Sequence, residues 1–284
     1  MDKELPKAFM FGAGSVGRHM LPIVKKDYRV IGYIDNNPKS WGKEVKGLFV
    51  HQPEAALQHE CEAIVISSHV GLHQISKQLL DMGVDSSKIV TKYLMTQVEA
   101  RIYFLEHIGA MLDERGVEGC VAEGGVFQGE FAKEINRVFQ NRNLYLFDTF
   151  EGFDSRDVSK DISRCLSDSV PGHLDNTTVE LVLSKLPHPE KCIIKKGYFP
   201  ESATGLESED FCFVNLDFDL YDPIYAGLEF FVPRMSKGGF ILVHDYYNEQ
   251  YSGVKKAVAD FCANKMQLSL FPIGDGVSCG IGFW

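Results

Sequence analysis

The stretch 211-FCFVNLDFDLYDP-223, with its continuation 238-GGFILVHDYYN-248, decides the fold. Phe211 to Leu216 is an apolar run too short for a helix and bounded by charge, which predicts a strand buried on both faces. It ends in Asp217, with Asp219 two residues on. The spacing after it predicts a helix from Pro223 to Met235, stopped by Gly238 and Gly239. Phe240 to Val243 is a second buried strand, and it ends in His244 and Asp245. In an open α/β sheet, ligands bind beyond the carboxyl ends of the strands. Two neighbouring strands that both finish in metal-ligating side chains therefore describe one site, with Asp217, His244 and Asp245 as its candidate metal ligands.

Composition narrows the partners. The 284 residues suffice for one large or two modest α/β domains. A net charge of −10 argues against a nucleic-acid partner, because phosphate backbones need clustered Lys and Arg. No run is apolar enough to span a bilayer, and MDKELPK leads straight into a strand rather than a leader. The seven cysteines are scattered and never in CxxC spacing, as in a reduced, cytoplasmic protein.

The chain begins with a compact unit over residues 1–95. Ala8 to Phe11 reads as a strand, Gly12-Ala13-Gly14-Ser15-Val16-Gly17 is a GxGxxG turn opening a helix through about Lys26, and Arg29 to Ile34 is a strand ending in Asp35. Gly12, Gly14 and Gly17 permit a tight turn and close approach of a phosphate, and Asp35 suits ribose hydroxyls. Ala63 to Ser67 and Lys88 to Val90 supply further strands around a helix near Leu72 to Met82. This is half a complete dinucleotide domain. Two readings stand: a bound nucleotide or nucleotide-sugar, or a scaffold that keeps its glycines for turn geometry. A long helix, Tyr93 to Arg115, then connects the units over residues 96–118.

The second unit, 119–284, opens with 121-VAEGGVFQG-129. Glu123 ends a strand, and Gly124, Gly125 and Gly129 let a ligand sit against the next helix. Asn143 to Phe147 is the following strand, ending in Asp148. Two acids at adjacent strand ends suit a ligand with a cationic amino group and a ribose, which is S-adenosylmethionine. Asp148 would take the ribose, and Glu123 with the glycine turn the methionine end.

The runs 147-FDTFEGF-153, 216-LDFDLY-221, Gly238-Gly239-Phe240 and His244-Asp245-Tyr246 together resemble the signatures of the macrocin O-methyltransferase family, over Gly119 to the C-terminus. The resemblance implies a class I methyltransferase fold, S-adenosylmethionine, with Thr149 and Phe150 beside Asp148 in its site, and a divalent metal held by Asp217 and by positions 244 and 245. It implies a sugar or glycosylated small molecule, of natural-product type, as acceptor. The family has Asp where this chain has His244. Magnesium is the expected ion, although an imidazole beside two carboxylates also suits manganese, iron(II) or zinc. His244 reads as ligand, as general base, or as a hydrogen-bonding group only. The stretch GYIDNNPKSWGKEVKGLFV, from Gly32, resembles the small Rossmann-like domains fused to sugar-modifying and methyl-transferring proteins.

A methyl sulfonium is already electrophilic, so the protein must align a hydroxyl and lower its pKa. Asp217, Asp219 and His244 are the candidate bases. Asp154 to Lys191 is polar, with a helix near Thr178 to Leu186, and reads as a lid or a surface connection. Gly197-Tyr198-Phe199 is placed to flank an adenine, and Tyr246, Tyr247 and Tyr251 to line a sugar. Three rivals remain: a metal-free N- or C-methyltransferase, a dehydrogenase using the first glycine turn, and a non-catalytic nucleotide-binding protein. An acidic enzyme of this kind is consistent with a homo-oligomer.

Overall fold

The computed structural model describes residues 4–68 and 71–284 and divides into two compact units, Met1–Glu99 and Ala100–Trp284. Both are α/β. The first contains β1 (Lys7–Phe11), α1 (Ser15–Val24), β2 (Arg29–Ile34), β3 (Glu44–Val45), β4 (Leu48–His51), α2 (Pro53–Ala56), β5 (Ala63–Ile66), α3 (Leu72–Asp81) and β6 (Ile89–Val90). Its sheet runs β3-β4-β2-β1-β5-β6, parallel apart from the short β3–β4 hairpin. That hairpin was not legible beforehand, because two-residue strands carry no period. Helix α4 (Lys92–Glu114) holds the division between the units inside a single element.

The second unit contains β7 (Cys120–Gly124), α5 (Glu130–Val138), β8 (Leu144–Asp148), α6 (Ser155–Ser163), α7 (Val179–Lys185), β9 (Cys192–Lys196), β10 (Phe211–Leu216), α8 (Tyr221–Phe231), β11 (Met235–Val243), α9 (Ser252–Asn264), β12 (Ser269–Pro272) and β13 (Cys279–Gly282). The sheet order is β12-β13-β11-β10-β7-β8-β9, parallel except for β13, which is antiparallel to its neighbours. All six residues of β10 are buried, as a central parallel strand with both faces covered requires. Val214, Leu216, Ile241 and Val243 pack with Leu228, Phe231 and Phe261 on one face. Phe213, Phe240 and Leu242 pack with Leu105, Leu112, Phe131 and Ile135 on the other.

Two expectations are corrected. The helix after β10 ends at Phe231 rather than Met235, because Pro233 has no N–H to donate and the chain tightens into a 3-10 turn over Val232–Arg234. Gly238 and Gly239 do not stop a helix. They lie inside β11, where the register with β10 jumps from Phe211↔Met235 to Phe213↔Phe240. Gly238 has φ +89°, and a Cβ on Gly239 would sit 2.8 Å from the Cys212 carbonyl oxygen, so both serve a bulge. The polar segment after Asp154 also contains a second helix, α6. Its buried face is Asp157, Val158 and Asp161, so it lacked an apolar stripe to announce it. Asp154 caps it by accepting from the Arg156 N–H, and Tyr198 donates to Asp157 at 2.8 Å.

Among the described residues no helix is long and apolar enough to cross a membrane, and all seven cysteines are free.

Candidate functional site

Register builds the site. Leu216 pairs with Gly124 on one side and with Val243 on the other, and Gly124 pairs with Phe147. One residue further, Asp148, Gly125, Asp217 and His244 therefore emerge at one level, from four adjacent parallel strands. The Asp217 N–H donates to the Gly124 carbonyl at 2.7 Å and the His244 N–H to Leu216 at 2.9 Å, which locks that level. The order β10-β7-β8 makes β7 the point where the chain winds outward in both directions, the crevice where such sheets bind ligands.

At its β10–β11 end three ligating side chains converge. Asp217, His244 and Asp245 each offer an atom within 4.8 Å of the others. His244 Nδ1 lies 2.8 Å from Asp217 Oδ1 and 3.2 Å from Asp245 Oδ2. That buried nitrogen faces the two carboxylates. Ligands held at right angles by a small octahedral cation at 2.0–2.1 Å are about 3 Å apart. The donor set and its spacing fit a divalent metal. Burial opposes charge on His244, but Asp217 and Asp245 outweigh it and hold the imidazole pKa well above its usual value.

Asp245 has φ +55° and Asp219 φ +62°, left-handed conformations that Asp tolerates better than most residues. Burial works against ionised Asp245, but His244 and hydrogen bonds from Asp219 and Asn248 outweigh it and keep it ionised. Asn248 Nδ2 donates to Asp245 Oδ1 at 2.8 Å. Asp219 goes the other way: burial first, then the Asp245 charge, raise its pKa well above the usual carboxylate range. Tyr251, also buried, faces this group and contacts the ring of Phe153.

At the β7–β8 end Asp148 already has three partners. Its Oδ2 accepts from the N–H groups of Val126 and Phe127 at 2.7 and 2.9 Å, and its Oδ1 from Phe150 at 2.7 Å. A carboxylate has about four lone-pair sites, so one remains for a ligand. The Phe150 backbone N–H holds that acid, and the Thr149 hydroxyl donates to the Gly152 carbonyl, shaping the turn. Glu123 is 2% exposed; Asn215 Nδ2 donates to its Oε1 at 2.9 Å while Oε2 has no partner. Burial, then the charge of Asp217, pushes Glu123 up to about 8. The glycines have packing reasons of their own. A Cβ would lie 2.0 Å from the Asp217 carbonyl oxygen at Gly125, 2.3 Å from the Phe218 ring at Gly124 and 2.9 Å from Val182 at Gly129. The glycine turn is thereby seated directly on the loop that carries Asp217 and Phe218.

Sequence reasoning missed Arg101, Asn215 and Asn248. Arg101 stands on α4 with its guanidinium 3.8 Å from the centre of the Phe131 ring and Nη1 3.6 Å from Asp217 Oδ2. One cation in an amphipathic helix gives no signal by spacing. Phe199 is not available to an adenine: it is 4% exposed, among Phe147, Phe218 and Phe231, and Tyr198 lies under Arg156. The segment over residues 154–191 is fastened to the turn, with Gln128 Nε2 donating to the Asn176 carbonyl and Lys185 Nζ to the Gln128 carbonyl.

In the first unit, Gly12, Gly14, Gly17 and Asp35 do assemble at one turn. Asp35 accepts from the N–H groups of Ala13 and Asn37 at 2.9 and 2.8 Å. A Cβ on Gly17 would sit 2.0 Å from the Gly12 carbonyl oxygen, whereas Gly14 faces open space.

Comparison with known proteins follows this geometry. The profile of the macrocin-O-methyltransferases (TylF) matches residues 57–275, and that of the C2185-like N-terminal domains matches residues 4–90. A curated relative from Streptomyces olivaceus, 8-demethyl-8-(2,3-dimethoxy-alpha-L-rhamnosyl)-tetracenomycin-C 4'-O-methyltransferase, is 26% identical over 144 residues, 46% of this chain and 54% of the relative. The chain thus spans about half the length of that relative. Among solved structures, the O-methyltransferase NovP aligns with TM-score 0.51 at 20% identity, over 65% of this chain and 79% of NovP. The calicheamicin methyltransferase CalS11 aligns with TM-score 0.53 at 17% identity, over 76% and 86%. These likenesses are of fold. The profile match, which covers most of the sequence and includes both the glycine turn and the Asp217, His244 and Asp245 cluster, shows that the chain belongs to the macrocin O-methyltransferase family.

Proposed function

We propose that this protein transfers a methyl group from S-adenosylmethionine to a hydroxyl of a sugar or glycosylated small molecule, with a divalent metal held by Asp217, His244 Nδ1 and Asp245. The observation that carries the reading is the convergence of those three atoms beside the glycine turn. Adjacent strands are about 4.8 Å apart, so Asp148 and Asp217, two strands from each other, stand roughly 10 Å apart. A ribose held by the remaining lone pair of Asp148 then directs the rest of an extended cofactor along the crevice toward Asp217.

The residues divide the work. A divalent cation, magnesium or manganese, would supply Lewis-acid stabilisation of the oxyanion that develops on the acceptor. Asp219, beside Asp245 and buried with it, is placed to keep Asp245 oriented. Asn248 fixes the other Asp245 oxygen. Tyr251 and Phe153 close the apolar side, where a sugar ring would stack. The first unit is proposed as a nucleotide or nucleotide-sugar module on the strength of its glycine turn and Asp35.

The test is calorimetric titration of S-adenosylmethionine and of magnesium into wild type, Asp148→Ala and Asp217→Ala. Cofactor binding weakened in the first variant and metal binding lost in the second is the expected outcome. A wild type that binds neither ends the proposal. A second reading, His244 as general base oriented by Asp217, is favoured by their 2.8 Å separation. His244→Asp separates the two: a ligand role predicts retained metal and turnover, a base role retained metal and lost turnover.

A further inference from the structure

Arg101 belongs to the second unit and has no place yet in the reaction. Its side chain is only 17% exposed, and its guanidinium lies over the ring of Phe131, the second residue of α5, 3.8 Å from the ring centre. Asp217 Oδ2, at 3.6 Å, is beyond hydrogen-bonding distance, and Arg101 makes no hydrogen bond to any described residue. The N–H donors of this mostly buried fork make no side-chain hydrogen bond beyond that long ion pair, which leaves them able to take an anion. The fork stands where the glycine turn meets the end of β10. Its charge reaches both Glu123 and His244. Glu123 Oε2 is buried and without a partner. A mostly buried cation whose ion pair with Asp217 is long, and a buried carboxyl oxygen without a partner, are complementary to an amino-acid zwitterion.

We infer that Arg101 receives the α-carboxylate at the amino-acid end of the cofactor, opposite Glu123, and so sets how far the cofactor reaches toward Asp217. The inference rests on the methyltransferase reading. Phe131 backs the planar fork, and such a fork suits bidentate recognition of a carboxylate. Arg101 is a binding and positioning residue: it fixes the end of the cofactor remote from the acceptor.

The experiment is calorimetry of S-adenosylhomocysteine and of its decarboxylated analogue with metal-free wild type, Arg101→Gln and Arg101→Lys, alongside thermal unfolding of each. Wild type is expected to prefer the carboxylate-bearing ligand by roughly tenfold or more, since hydrogen bonds to charged groups have about that effect. Arg101→Gln should bring the preference close to one without altering affinity for the decarboxylated ligand; Arg101→Lys should keep part of it. A preference unchanged in Arg101→Gln overturns the inference, even if metal affinity shifts, because Arg101 is then only a counter-ion to Asp217. Should Arg101→Gln fail to fold, a full wild-type preference in Arg101→Lys overturns it equally. A wild type that binds neither ligand removes the methyltransferase reading, and this inference with it, which is a different result from an unchanged preference.

Discussion

The two glycine turns of this chain are built alike and end differently. Each follows a buried parallel strand, each opens a helix whose N-cap glycine makes no side-chain cap, and each is tied to the acid that ends the next strand. The difference lies on the other side of the switch point. In the first unit β5 ends in Ser67, whose hydroxyl folds back on the carbonyls of Phe11 and Gly12 at 3.0 and 2.9 Å. In the second unit β10 ends in Asp217, seated on Gly125 and beside His244 and Asp245. A glycine turn with its acid makes a cradle in either place. The chemistry comes from what the neighbouring strand carries.

Removing that chemistry is the harshest test of the contrast. Asp217→Asn is expected to reduce turnover by roughly a thousandfold, the scale on which loss of a group stabilising transition-state charge is felt. Ser67→Ala should leave turnover unchanged, and steady-state assays of the two variants decide the point. Equal losses would mean that the first turn takes part in catalysis.

The backbone differs next. Gly125→Ala forces a Cβ onto a carbonyl oxygen at φ +83°, so chemical denaturation should show a loss of about 3 kcal/mol or more. Gly14 has φ −69° and open space. Gly14→Ser is therefore expected to stabilise by a few tenths of a kcal/mol as a better N-cap. Destabilisation instead would show that this turn is held by something beyond its own geometry.

Glu123 gives the second turn a pH signature of its own. Its folded pKa of about 8 is above the unfolded value, so the folded state binds the extra proton. Stability is then full below about pH 4.5 as far as this group is concerned, and is lost as pH rises toward 8, by up to about 4 kcal/mol. Unfolding midpoints of wild type and Glu123→Gln measured from pH 5 to 8.5 should converge at the acid end and separate at the alkaline end, with the variant the more stable.

The two tethering acids differ by ligand rather than by stability. Asp35→Asn and Asp148→Asn each remove charge-assisted bonds to backbone N–H groups and should each destabilise by about 1–2 kcal/mol. Only Asp148→Asn is expected to weaken S-adenosylmethionine binding, roughly tenfold, by titration.

The alternation of short apolar runs with amphipathic segments was enough to give two parallel α/β units. The polar residues at the ends of those runs were enough to nominate Asp217, His244, Asp245 and Asp148, because a buried parallel strand must place its first polar residue at the crevice. The sequence also carried the departure at His244. Local signals misled where one residue type serves two ends: Gly238 and Gly239 read as a helix stop and are a strand bulge, and α6 hid behind an acidic buried face. Only the tertiary structure decided the rest. It turned Phe199 into the aromatic core, buried Asp219 beside Asp245, buried Glu123 against Asn215 and brought Arg101 from a distant helix to Asp217. Strand ends are legible because burial is written in composition along the chain. Which charges meet, and which of them keep a proton, depends on distances between segments far apart in sequence, and no periodicity records those.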